Sequence, residues 1–140
     1  MKKLIVILLA AVAVISVNCH TFAEENKSLG KVIAYYFHGT ARCPTCHKLE
    51  QYSKEAIEAN FKDTLTSGKL EFKVINIENK GNEHYANDYQ LYTKSLILSL
   101  VADGKQIKWK NLDKIWEYVG NKQKFFEYVT SEINNFLKGL

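Results

Sequence analysis

The chain is poor in several residue types that mark familiar protein classes. Its 140 residues contain one proline, one methionine and three cysteines. Acidic and basic residues are nearly balanced, with 15 Asp and Glu against 19 Lys and Arg spread along the chain, so no nucleic-acid partner is indicated. There is no internal repeat and no low-complexity segment. These absences, together with the length, favour one small domain.

The one long apolar run lies at the N-terminus and has the layout of a secretory signal peptide. Lys2 and Lys3 precede this run, which covers residues 4–17. We predict that residues 1–23 are a signal peptide cleaved after Ala23. Loss of the two lysines lowers the formal net charge from +4 to about +2.

Two alternatives keep the chain at a membrane. An uncleaved anchor is disfavoured because the apolar run is shorter than the ~20 residues that a spanning helix needs. Lipidation at Cys19 is the other alternative, although Asn18 is a poor match to the residue that precedes a lipidated cysteine.

With the signal peptide removed, only Cys43 and Cys46 remain, in an oxidising compartment where thiols are normally paired. We therefore expect an exported protein of the periplasm or cell envelope.

The rest of the chain alternates between strand and helix patterns. Residues 24–30 are polar and are predicted to form a short tether, and residues 31–140 to form one α/β domain. The apolar run from Val32 to Phe37 predicts a strand covered on both faces, and Asp103-Gly104 predicts a hairpin turn. The predicted strands are 31–38, 69–78, 95–101 and 106–109, and the predicted helices are 44–67, 82–92, 112–119 and about 125–137.

The motif Cys43-Pro44-Thr45-Cys46 lies where the first strand's loop meets the first helix. Pro44 suits the first helical turn because its missing N–H costs nothing there. Unpaired N–H groups at a helix N-terminus, with a cation such as Arg42 nearby, lower a thiol's pKa from about 8.5 into the range ~3.5–7.5. Two intervening residues bring the sulfurs close enough to bond. We predict Cys43 as the nucleophile and Cys46 as the resolving thiol.

The alternative of a purely structural disulfide is weaker. A loop this short constrains little entropy of the unfolded chain, and the strand-to-helix setting is typical of redox motifs.

The element order, with the cysteine pair after the first strand, resembles the thioredoxin fold over residues 31–140. The fold class that this resemblance implies is α/β, with a central four-stranded mixed sheet in the order βαβαββα, flanked by helices, and an extra C-terminal helix. The segment YYFHGTARCPTCHKLE, residues 35–50, is similar to exported thioredoxin-like proteins of the nitrophenyl compound nitroreductase subunit family. That resemblance implies a thioredoxin fold and a dithiol, and its name alone suggests a role beside a nitroreductase.

The sequence departs from the thioredoxin pattern at three points. Pro44 is the only proline, so the cis-proline that thioredoxins place beside the dithiol has no counterpart. Because that proline keeps metals away from the sulfurs in thioredoxins, its absence favours metal binding at the dithiol. Arg42 replaces the tryptophan that usually precedes the first cysteine. The acidic residue usually buried in the first strand is missing as well, which leaves Cys46 without an assigned proton acceptor. The predicted substrate loop in the place of the cis-proline consists of Thr93, Lys94 and Ser95.

Histidines are the nearest candidates for the missing proton acceptor, since their pKa lies near neutrality. His38 follows the first strand and His47 follows the second cysteine. His38 either accepts the proton of Cys46 or only caps the strand end. Lys94 is a candidate for steering an anionic group toward the sulfurs.

Three other functions share this motif. Cys43-Pro44-Thr45-Cys46-His47 fits the C-x-x-C-H pattern of c-type haem attachment, but the only methionine is Met1. A copper or zinc carrier would use Cys43, Cys46 and His47 and would need a fourth ligand. A non-catalytic subunit of a reductase complex is the third alternative. We favour a thiol-disulfide oxidoreductase that acts on a protein partner and needs no cofactor.

Overall fold

The structure is a computed structural model that describes residues 30–140. The predicted signal peptide, the alternative lipidation at Cys19 and nearly all of the tether lie outside the described residues. None of the helices within residues 30–140 is long and apolar enough to cross a bilayer.

Strands and helices alternate in the first half of the described chain, and a hairpin and two helices follow. The strands are β1 (Lys31–His38), β2 (Leu70–Asn76), β3 (Ser95–Ala102) and β4 (Lys105–Asn111), and the helices are α1 (Pro44–Asn60), α2 (Lys62–Thr66), α3 (His84–Asp88), α4 (Ile115–Tyr118) and α5 (Lys122–Leu137).

The four strands form one mixed sheet in the order β2-β1-β3-β4. β1 pairs with β2 in parallel, with Val32 opposite Leu70, and with β3 in antiparallel fashion, with Phe37 opposite Ser95. β3 and β4 form an antiparallel hairpin. This sheet with its flanking helices is the thioredoxin-like fold, and the predicted fold class is confirmed, including the C-terminal helix.

β1 is covered on both faces, as its apolar run predicts. Val32, Ala34 and Tyr36 belong to the larger buried cluster, which α1 and α5 complete with Leu49, Ile57, Phe125 and Val129. Phe37, from the opposite face, packs with Tyr89 and Ile97 in a second, smaller cluster. Because β1 is central and buried, its C-terminal end holds the loop to α1 in a defined position.

Several predicted boundaries differ from the observed ones. The first predicted helix is two helices, since the chain breaks at Phe61, whose φ of −131° and ψ of 28° are not helical. Phe61 is 5% exposed and belongs to the larger buried cluster, so its ring stays in the core across the break. The weak helix at 82–92 is reduced to the five residues of α3.

Candidate redox site

Cys43 and Cys46 form a disulfide at the start of α1, with their Cα atoms 5.0 Å apart. Cys43 is the N-cap residue in extended conformation, and Pro44 opens the helix. The backbone N–H of Cys46 donates to Cys43 Sγ at 3.1 Å, and the N–H of His47 donates to the Cys43 carbonyl at 3.1 Å. The first sulfur therefore occupies the position where a side-chain oxygen usually caps a helix.

The two cysteines differ in their exposure to solvent. Cys43, Pro44 and Thr45 are exposed, whereas Cys46 is only 2% exposed. An incoming thiolate can reach the sulfur of Cys43 from solvent, while Cys46 is shielded by the body of the domain. This asymmetry matches the predicted roles of an attacking thiol at Cys43 and a resolving thiol at Cys46, which remain predictions.

Tyr36 lies behind the disulfide and was not singled out by sequence reasoning. Its side chain is fully buried, and its hydroxyl donates to the backbone carbonyl of Cys46 at 2.7 Å. Burial raises the pKa of Tyr36 to about 12, and the nearby Arg42 guanidinium opposes that rise only in part. A tyrosine in the middle of a buried strand needs a hydrogen-bond partner for its hydroxyl. This need was the signal in the sequence by which Tyr36 could have been recognised.

Arg42 is directed toward α1, where it forms an ion pair with Glu50. The two side chains are 18% and 28% exposed, respectively. The Nε atom of Arg42 is buried and has no hydrogen-bond partner among the described residues. Arg42 was predicted as a cation beside Cys43, and the structure adds a carboxylate partner that the sequence did not indicate.

The loop between β1 and α1 is anchored by Glu78, which follows β2. The carboxylate of Glu78 accepts from the backbone N–H of Thr40 at 3.0 Å, and Asn76 Nδ2 donates to Thr40 Oγ1 at 3.1 Å. Hydrogen bonds from Thr40 hold the pKa of Glu78 below its usual value. A Cβ on Gly39 would meet the Glu78 carboxylate, so any other residue there would require this carboxylate to shift away from Thr40.

The two histidines near the motif occupy different positions. His38 is half-buried at the end of β1, with Nδ1 at 2.8 Å from the carbonyl oxygen of Gly39. His47 is exposed on α1. The contact of His38 is local, which is in keeping with the capping alternative, and its role as the proton acceptor of Cys46 stays a prediction.

The predicted substrate loop leads into β3, whose first residue is Ser95, and is held by side-chain contacts. Thr93 is exposed, and Ser95 is 3% exposed with its hydroxyl donating to the Thr93 carbonyl at 3.0 Å. Trp116 Nε1 donates to the carbonyl of Lys94 at 2.9 Å. The structure contains no cis peptide bond within residues 30–140. A cleft of about 180 Å³ separates this loop from the end of β1 and is lined by His38, Gly39, Ile77, Glu78, Leu91, Tyr92, Thr93 and Lys94.

Metal ligands do not converge in the part of the chain that the structure describes. Within residues 30–140, no three side chains of His, Cys, Asp or Glu are grouped so that they could hold a metal ion. The predicted set of Cys43, Cys46 and His47 is not such a group in this form, in which the two sulfurs are bonded to each other.

Comparisons with known proteins find thioredoxins among solved structures, at low similarity. No family model and no curated protein matches the chain. Among solved structures, Fasciola hepatica thioredoxin is 21% identical, covers 76% of this chain and 84% of its own, and has a TM-score of 0.41. Oxidised thioredoxin O2 from Arabidopsis thaliana is 11% identical over 69% of this chain and 76% of its own, with a TM-score of 0.41. Chlamydomonas reinhardtii thioredoxin f2 is 14% identical over 71% and 84%, with a TM-score of 0.37. No function is transferred at these values, and the fold assignment rests on the sheet topology.

Proposed function

We propose that the protein is a thiol-disulfide oxidoreductase that exchanges disulfides with a protein partner in the cell envelope. The observation that carries the proposal is the disulfide at the N-terminus of α1, with an exposed Cys43 bonded to a Cys46 that is 2% exposed. An exposed sulfur at a helix N-terminus favours the thiolate form and is open to a large partner.

The reaction is a two-electron exchange in two steps. A partner thiolate attacks the sulfur of Cys43, the bond between Cys43 and Cys46 breaks, and Cys46 leaves as a thiolate. A second partner thiolate then attacks the partner's own sulfur in the mixed disulfide and expels Cys43 as a thiolate. The partner dithiol becomes a disulfide, and the Cys43-Cys46 pair becomes a dithiol. The same two steps in reverse order reduce a disulfide of the partner.

Features of the site support a protein as the substrate. Cys43 is exposed to solvent at the helix start, and Thr93 and Lys94 line a small cleft beside the end of β1. The direction of net exchange depends on the reduction potentials of the two partners. The resemblance of residues 35–50 to nitroreductase subunits suggests a reductase complex as one source of such a partner.

The proposed location rests on the N-terminal sequence pattern. The basic start and the apolar run of residues 4–17 are typical of exported proteins, and a disulfide between Cys43 and Cys46 suits an oxidising compartment. Fractionation of the native cells tests this location, and the intact mass of the purified chain tests the cleavage site. We expect a chain that begins at Glu24 in the envelope fraction. A chain found only in the cytoplasmic fraction would contradict the location, whereas a retained Met1 or lipid on Cys19 would contradict the predicted cleavage.

Trapping of mixed disulfides tests the proposed function. We expect the Cys46→Ala variant to accumulate covalent partners on Cys43 that dithiothreitol releases, because the resolving thiol is absent. The Cys43→Ala variant is the matched control and is expected to trap none. The proposal fails if Cys43 forms no mixed disulfide and reacts with iodoacetamide no faster than a free cysteine near neutral pH.

A further inference from the structure

The Arg42-Glu50 pair joins the loop before the disulfide to α1, whose first turn carries the buried Cys46. Glu50 follows Cys46 by four residues on α1, so the two side chains lie on the same helix face, one turn apart. Tyr36 reaches the same turn from β1, where its hydroxyl donates to the Cys46 carbonyl at 2.7 Å. Arg42 forms an ion pair with Glu50. Its positive charge also lowers the pKa of the Tyr36 phenol, against the larger effect of burial. Arg42 is thereby held beside the first turn of α1.

Arg42 has a donor that the oxidised site leaves unused. Its Nε is buried without an acceptor among the described residues, although a guanidinium has five N–H donors and burying one unpaired is costly. The disulfide sulfur of Cys46 is neutral and a poor acceptor. Once the disulfide opens, the same sulfur becomes an anion in a site with little access to water, where a nearby cation has its largest effect.

We propose that Arg42 stabilises the Cys46 thiolate that leaves when the disulfide opens, and that Glu50 limits this effect by offsetting part of the guanidinium charge. This role rests on the proposed function, because the opening of the Cys43-Cys46 disulfide is the first step of the proposed exchange. Arg42 is a stabilising residue for the leaving sulfur. Glu50 acts only through Arg42 and is a positioning residue.

The opening of the disulfide needs no reactant other than the attacking thiol. An external thiolate forms a bond to Cys43 Sγ, and the electron pair of the broken Cys43-Cys46 bond passes to Cys46 Sγ. The negative charge moves from the attacking sulfur to a sulfur beside Arg42, and no proton is transferred. A leaving thiolate of lower pKa leaves faster, so the balance between Arg42 and Glu50 sets the opening rate.

The rate at which dithiothreitol opens the disulfide tests this inference, because charge removal on the two partners has opposite predicted effects. Glu50→Gln keeps the side-chain shape and leaves Arg42 uncompensated, so the opening rate is expected to rise about threefold to tenfold. Arg42→Met removes the cation and is expected to lower the rate by a similar factor. Arg42→Lys retains the charge and is expected to stay close to the wild-type rate.

The matched control is Glu55→Gln, at a residue of α1 farther from the disulfide, where the change breaks an ion pair with Lys122 of α5. Its opening rate is expected to stay within twofold of the wild type. A purely structural role would move Glu50→Gln and Arg42→Met in the same direction, and that result would overturn the inference. An unchanged rate in Glu50→Gln would also overturn it, even if Arg42→Met does not fold.

The outcomes separate the two proposals. If the wild-type protein traps partners but the charge variants open at the wild-type rate, only the role of Arg42 and Glu50 is lost. If no partner is trapped and Cys43 is unreactive, the proposed function itself is lost, whatever the variants do with dithiothreitol.

Discussion

Tyr36 joins the sheet to the site, because its ring is buried within β1 and its hydroxyl donates to the carbonyl of Cys46. Its neighbour Phe37 points to the other face and packs with Tyr89. Alternation along one strand thus assigns one aromatic residue to the site and the next to the core beneath α3. The first turn of α1 is attached to β1 by a side chain as well as by the loop that carries Cys43.

Replacing Tyr36 by Phe removes that hydroxyl while leaving the ring in the core. We expect the Tyr36→Phe variant to lose about 1 kcal/mol of unfolding free energy, since one buried hydrogen bond is lost. Urea denaturation of the oxidised protein measures the loss. Tyr92→Phe is the control, because its side chain is 95% exposed, and its stability is expected to change by less than about 0.5 kcal/mol. Equal effects in the two variants would show that the buried contact contributes nothing.

At the level of elements, the hairpin and the first helix show what local sequence determines. Asp103 and Gly104 have φ of 50° and 71°, so both central residues are left-handed, as the predicted two-residue turn requires. The predicted helix from Pro44 instead ends early, at Asn60, where the non-helical Phe61 follows and enters the core. The turn is marked by its own two residues, whereas no residue near Phe61 in the sequence marks the helix end.

The turn gives a prediction at this scale. Gly104→Ala places a Cβ on a residue with φ of 71°, and we expect it to lower the unfolding free energy by about 1 kcal/mol. Gly120 has open space around it and no positive φ, so Gly120→Ala is expected to be neutral or slightly stabilising. Thermal or urea unfolding of the two variants, side by side, measures the difference. A loss in Gly120→Ala as large as in Gly104→Ala would contradict this account.

In the molecule as a whole, the sheet separates two apolar layers of unequal size. The larger layer lies beneath α1 and α5, and Phe125 packs there edge-on against Tyr52, with ring centroids 5.5 Å apart. The smaller layer combines aromatic and aliphatic side chains and includes Tyr35, Phe37 and Tyr89. Burial raises the pKa of Tyr35 to about 12 and has the same effect on Tyr128 beside the larger layer.

These raised pKa values predict a loss of stability in alkali. Tyr35, Tyr36 and Tyr128 have folded-state pKa values of about 12 against an ordinary value of 10.0. The folded protein therefore holds more protons than the unfolded chain between these values. The stabilisation is fully present below pH 10.0 and is lost as the pH rises through 12. Urea unfolding at a series of pH values should show this decline, and the decline should be shallower in Tyr36→Phe. A flat profile above pH 10.0 would contradict it.

Much of the fold and the centre of the candidate site could be predicted because they depend on neighbouring residues. The order of strands and helices follows from side-chain periodicity. The placement of Cys43 and Cys46 on a first helical turn follows from their spacing and from Pro44. The supporting contacts could not be predicted in this way, since they join Arg42 to Glu50 and other residues still farther apart in the sequence.

The sequence by itself determined the alternation of elements, the hairpin turn and the cysteine pair that opens α1, because each is set by interactions within a few consecutive residues. Only the tertiary structure decided which cysteine is shielded, that Tyr36 supports Cys46, and that Glu78 anchors Thr40 across 38 residues of chain. Those contacts exist because the parallel pairing of β1 and β2 and the packing of α1 bring distant residues to one edge of the sheet.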